Sequence, residues 1–127
     1  DGNTVHLNNL KGRVVLLSVI DPKGGPCKSE TQNTIKPLYS KYGSRVAFLT
    51  VDVQILGTDT PASLKDFRAQ VGAGWTFLLD DGSFKSNYRI DSTPRVIIIS
   101  TQGTLFYQHT GTSQIDDLSA QLDKALE

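Results

Sequence analysis

The chain has no methionine, one tryptophan (Trp75) and one cysteine (Cys27) in 127 residues. A lone cysteine excludes an internal disulfide and any multi-thiolate metal centre. A zinc site built from Cys27, His6 and His109 would need three scattered ligands to converge. Neither a metal nor any other cofactor is therefore expected.

Charge of one sign is also missing, since 13 Lys and Arg balance 13 Asp and Glu. No net field draws in nucleic acid, anionic lipid or a strongly charged substrate. The longest apolar run, Val14 to Ile20, is far shorter than a bilayer requires, so no membrane contact is expected. The absence of Met, with a first residue that falls inside a motif, leads us to expect a processed or trimmed piece. Repeats and low-complexity tracts are absent too, and the length suits one domain spanning residues 1–127.

What is present is an alternation of buried strands and amphipathic helices. Residues Arg13 to Ile20 (RVVLLSVI) form a β-branched run, the pattern of a strand buried on both faces. From Cys27 to Tyr42, Ile35, Leu38, Tyr39 and Tyr42 recur at helical spacing, and Gly43 is the stop signal. Pro37 lies inside this helix and predicts a kink or break near Lys36. Arg45 to Val53 reads as a second buried strand, parallel to the first through a crossover helix.

Thr60-Pro61 offers an N-cap and a first-turn proline for a helix facing inward through Leu64, Phe67 and Val71. Trp75 to Leu79 then gives a short strand, in which Trp75 is expected to fill core. Val96 to Ser100 and Leu105 to His109 predict an antiparallel hairpin turned at Gly103. The last helix is expected to start at a Ser113 cap, with Asp116 three residues on, and to turn Ile115, Leu118, Leu122 and Leu126 inward. The fold class is α/β, a central mixed β-sheet flanked by helices.

Particular residues sharpen this order. The opening DGNTVHLNNLKG, residues 1–12, resembles the start of the TlpA and ResA group of thioredoxin-like proteins in the AhpC/TSA-redoxin superfamily. The stretch FLLDDG from Phe77 to Gly82, then Thr93-Pro94 before the VIII run, is similar to that group's second half. The resemblance implies a thioredoxin-like fold, thiol-disulfide chemistry with protein thiols or disulfides, and an extracytoplasmic location.

That group carries Trp-Cys-x-x-Cys at the start of its first long helix, then a basic residue and a Glu. Here the segment is Lys23-Gly24-Gly25-Pro26-Cys27-Lys28-Ser29-Glu30. By this match Cys27 is the second, resolving cysteine, Gly24 occupies the place of the attacking one, and Lys23 replaces the tryptophan. Dithiol exchange needs one thiolate to attack and a second to release the mixed disulfide, so the two-step cycle cannot close.

At a helix start, with Lys23 and Lys28 beside it, Cys27 would hold a stabilised thiolate; alternatively it is a shielded, leftover thiol. The resemblance makes Pro94 a cis-proline lining a substrate groove with Gly25, Pro26 and Thr93. Without the resemblance, Pro94 is an ordinary proline at the first residue of a strand. If the bond is cis, the Thr93 backbone can pair with an extended peptide. Glu30 is read as complementing the helix dipole rather than tuning Cys27. His6 and His109 are read as fillers and Arg95 as an exposed strand-end residue.

Three functions follow. The first is an oxidoreductase relative that has lost dithiol turnover, and the second a non-catalytic module binding a peptide in the same groove. The third is a one-cysteine peroxidase acting through CKSE, although Gly24 lacks the hydroxyl that peroxiredoxins place three residues before their cysteine.

Overall fold

The computed structural model describes residues 10–127. The expectations resting on the opening motif before residue 10, His6 among them, lie outside the described residues. Five strands form one mixed sheet in the order β3-β2-β1-β4-β5. These are β1 (Val14–Ile20), β2 (Val46–Asp52), β3 (Thr76–Leu79), β4 (Arg95–Ile99) and β5 (Leu105–Thr110). The first three are parallel and the last two antiparallel to their neighbours.

All seven residues of β1 are buried, as a central strand covered on both faces requires. One face carries Val14, Leu16, Val46, Phe48, Val96 and Ile98 against Ile35, Leu38 and Tyr42. Leu118 and Leu122 of the last helix, α5 (Ile115–Ala125), complete that layer. The other face carries Val15, Leu17, Leu49, Val51, Ile97 and Ile99, covered in part by Ile90 and Phe84. The Tyr42 hydroxyl lies 2.6 Å from Ser119 Oγ and donates to Asp123 Oδ1 at 2.7 Å, which fastens the two helices of the first layer together.

The Pro37 break takes a particular form. The helix runs as α1 (Gly25–Glu30), one wide π turn over Thr31–Ile35, and α2 (Lys36–Tyr42). Proline cannot donate to the preceding turn, and the widened turn, in which the Lys36 amide bonds back to Thr31, lets the path continue without a gap. The helix α3 (Pro61–Val71) starts as the sequence indicates, with Thr60 and Ser63 bonding reciprocally as a capping box. The β4–β5 hairpin turns at Gly103, whose φ of 82° favours glycine.

Three expectations fail. The N-cap of α5 is Gln114 with no side-chain cap; Ser113 lies one residue before it, its amide bonded to Glu30 and its hydroxyl buried without a partner among the described residues. Ile115 is 37% exposed rather than inward, with the helix beginning one residue later than a Ser113 cap implies. Trp75 precedes β3 instead of starting it, yet it is buried among Tyr39, Phe48 and Phe77. The sequence reading also has no counterpart to the short helix α4 (Ser83–Asn87). Five residues show no periodicity; the element is organised by Asp80, whose carboxylate accepts the Phe84 and Lys85 amides.

Candidate functional site

In an open α/β sheet, ligands gather beyond the carboxyl ends of the strands, where neighbouring connections diverge. Here β1 ends at Ile20, with β2 on one side and β4 on the other. The chain turns tightly, the Gly24 amide bonding the Asp21 carbonyl at 2.9 Å, and α1 begins with Gly25, Pro26 and Cys27. Gly25 and Pro26 are exposed at the helix tip and Gly24 is half-buried.

Cys27 points inward and is 1% exposed, packed with Ile20, Phe67 and Val71. Its sulfur accepts the Asp21 amide at 3.5 Å. The Thr93 side chain lies near enough to the thiol to favour its ionised form, so the Thr93-Pro94 segment is brought beside Cys27. The Thr93-Pro94 peptide is cis, and Pro94 is buried.

Of the two readings of Cys27, the electropositive surroundings of the first are not found among the described residues. Burial pushes the thiol above its ordinary value; the Thr93 and Asp21 hydrogen bonds oppose this, while the Asp21 and Glu30 charges add to it. Lys23 cannot help, because its ammonium is turned onto Asp59 and the Thr58 carbonyl. Lys28 is exposed on the helix surface. The geometry of Cys27 therefore matches the shielded thiol rather than the stabilised thiolate.

Gly24 has φ −94°, open to any residue. A Cβ built there would lie 3.4 Å from the Asp21 carbonyl and 3.6 Å from Cys27 Sγ. In a disulfide the far sulfur lies about 3 Å from such a Cβ, so a cysteine at this position could bridge to Cys27 after a shift of a few tenths of an ångström.

Glu30, read from the sequence as complementing the helix dipole rather than tuning Cys27, does more than that. It is buried, one oxygen accepting the Ser113 amide and the other unpartnered among the described residues. Burial raises its pKa, with the Ser113 bond and His109 opposing. His109 itself is exposed, with Nε2 3.0 Å from the Thr112 carbonyl. Arg95 is half-buried and donates to the Tyr88 carbonyl at 3.2 Å.

A second group was missed from sequence. Asp21, Asp52 and Asp59 bring one carboxylate oxygen each to within 4.8 Å of one another. The available signal was an acid at the end of each of two adjacent buried strands; Asp52 sits in register with Ile20, one residue before Asp21. Among the described residues no helix is long and apolar enough to cross a membrane.

The sequence matches the Redoxin family over residues 1–126. Among solved structures, similarity extends to a chain described as a putative thiol:disulfide interchange protein DsbE from Chlorobium tepidum. That match has 25% identity and a TM-score of 0.83, covering 97% of this chain and 86% of that one. A thiol-disulfide isomerase from Corynebacterium glutamicum matches at 22% identity and TM-score 0.82, covering 100% and 89%. StoA from Bacillus subtilis matches at 19% and 0.75, covering 88% and 84%. No curated protein matches the sequence at a significant level. The chain belongs to the Redoxin family and has the thioredoxin-like fold.

Proposed function

We propose that this Redoxin-family chain, read as one thioredoxin-like domain over residues 1–127, is a thiol-disulfide oxidoreductase relative without dithiol turnover. Gly24 stands where the attacking cysteine would be, and Cys27 is the resolving partner left behind. The observation that carries this reading is the 3.6 Å from a Cβ at position 24 to Cys27 Sγ, at a backbone conformation that any side chain accepts.

The partners on this reading are protein thiols or disulfides, held as an extended segment along Gly25, Pro26, Thr93 and Pro94. The placement of Thr93 against the Cys27 sulfur, with Gly25 and Pro26 exposed at the helix tip, supports such a groove. A non-catalytic peptide-binding role for the same groove is favoured by the burial of Cys27, which removes the thiol from direct attack. The one-cysteine peroxidase reading needs a stabilised thiolate, and the acids around Cys27 oppose one. An extracytoplasmic location belongs to this proposal through the likeness to thiol-disulfide interchange proteins.

The test compares the native chain with Gly24→Cys. The native chain should not reduce insulin disulfides above background with a dithiol donor. The variant should form a reversible disulfide with Cys27, read as a mass shift after alkylation in glutathione buffers, and should gain insulin reduction. A folded variant that never bridges, or bridges without exchange, overturns the assignment.

A further inference from the structure

Among the described residues, the three acids beyond the ends of β1 and β2 share one close cation, the Lys23 ammonium on Asp59. Asp21 and Asp52 are fully buried. Asp21 is satisfied, its oxygens accepting the Lys23 amide at 3.0 Å and the Leu56 amide at 2.6 Å. Asp52 Oδ1 accepts the Gln54 amide at 2.9 Å. What remains are Asp52 Oδ2 and Asp59 Oδ2, both buried and without any donor among the described residues, on carboxylates that bring oxygens within 4.8 Å of each other. Two carboxylates this close and this buried are favoured when one of them carries a proton, which lets it donate to the other.

These same groups hold one loop. Between Val53 and Thr60, the amides of Gln54 and Leu56 bond to Asp52 and Asp21, and the Thr58 carbonyl accepts Lys23 Nζ at 3.2 Å. The Asp59 amide donates to Gln54 Oε1 at 2.8 Å, with Gln54 itself left-handed at φ 54°. Ile55 packs against the core at the start of the loop, whereas Leu56, at the crest, is 60% exposed and leaves the stretch toward Asp59 without apolar anchoring of its own. On its far side the loop borders a cavity of about 250 Å³ lined by Gln54, Thr58, Asp80, Asp81 and Lys85. Asp80 has both oxygens on α4 amides.

We propose that the 53–60 loop is an alkaline-released latch over the Lys23–Gly24 turn, closed by a single proton shared between Asp52 and Asp59. Asp59, paired with Lys23, keeps the charge; Asp52, more deeply buried and not paired with the ammonium, keeps the proton. When hydroxide removes that proton as water, the pair changes from a hydrogen bond to two facing anions, with Asp21 adding to the repulsion. Asp52 lies in a strand and cannot retreat, so the loop carrying Asp59 must. Burial and its acidic neighbours place the Asp52 pKa at about 8, which sets where the latch opens. The inference requires no thiol chemistry and stands apart from the proposed function.

The experiment follows the amide resonances of Gln54, Leu56 and Asp59 from about pH 6 to about pH 10, in the native chain and in Cys27→Ala. The second protein removes the nearby thiol's own titration. The three amides should move with one common midpoint near 8 in both proteins. Above it, Leu56 amide exchange, corrected for hydroxide catalysis, should rise about tenfold per pH unit. In Asp52→Asn, whose side-chain amide can still donate to Asp59, the transition should vanish and the loop stay closed. The latch is overturned if the three amides do not titrate in this range, or if Asp52→Asn titrates like the native chain. A midpoint abolished by a chelator would mean a bound cation and would equally overturn it. If Asp52→Asn does not fold, carboxyl carbon shifts of the native chain decide, and both acids ionised at about pH 6 would refute the shared proton.

Discussion

One carboxylate oxygen of Glu30 accepts the backbone amide of Ser113, 83 residues further along the chain. This bond ties the end of α1 to the turn before α5. It gives Glu30 a role that the sequence reading does not foresee: a residue read as complementing the helix dipole is buried against a distant turn. The other Glu30 oxygen and the Ser113 hydroxyl are buried without partners among the described residues.

Glu30→Ala should therefore destabilise the fold by about 1–3 kcal/mol, because it leaves the Ser113 amide buried and unbonded. Glu30→Gln keeps an acceptor and should cost less. It should also lower the pH at which Cys27 titrates, since the Glu30 charge is one of the influences raising it. Chemical denaturation and thiol absorbance against pH check the two parts, and an unmoved thiol midpoint would show that Glu30 does not act on Cys27.

Cys27 should resist alkylation in the native state. A thiol raised by burial and flanked by two acids is largely unionised at neutral pH, and its sulfur is closed to reagent. The native rate at about pH 7 should be at least tenfold below that of the denatured chain. Thr93→Val should raise the thiol's titration midpoint further by removing the opposing hydrogen bond. Equal rates in folded and unfolded protein would contradict the buried geometry.

Asp52 also shapes stability. Its pKa is about 8 in the folded state against 3.8 ordinarily. Between those values the folded protein binds the proton that the unfolded chain has lost, so this group's contribution is full at acid pH and is lost as pH rises through about 8. Asp52→Asn should flatten the corresponding fall in unfolding free energy. Urea denaturation at several pH values measures it, and identical slopes in variant and native protein would rule it out.

Tyr42→Phe should cost about 1–2 kcal/mol, by removing the hydroxyl that joins α2 to Ser119 and Asp123 while leaving the ring in the core. Thermal melts of the two proteins suffice. No change would mean that Asp123 and Ser119 find other partners at no cost.

Much of the architecture is carried by local pattern. The run VVLLSVI is apolar at every position but one and can lie only in a sheet covered on both faces, whatever surrounds it. Thr60-Pro61, Pro37 and Gly103 mark their turns and breaks because each acts through its own backbone chemistry. The position of Cys27 at a helix tip, three residues after a glycine, is likewise a property of the segment itself.

Charge states and distant pairings are of another kind, and only the tertiary structure decided them. Lys23 and Lys28 lie next to Cys27 in sequence, yet the acids Asp21 and Glu30 act on its thiol, because Lys23 extends across to Asp59, 36 residues away. Glu30 finds Ser113, and Asp52 shares its proton with Asp59, through folds of the chain that no local spacing encodes. A side chain's proton affinity follows the dielectric and charges around it in space, and these exist only once the sheet has brought its strand ends together.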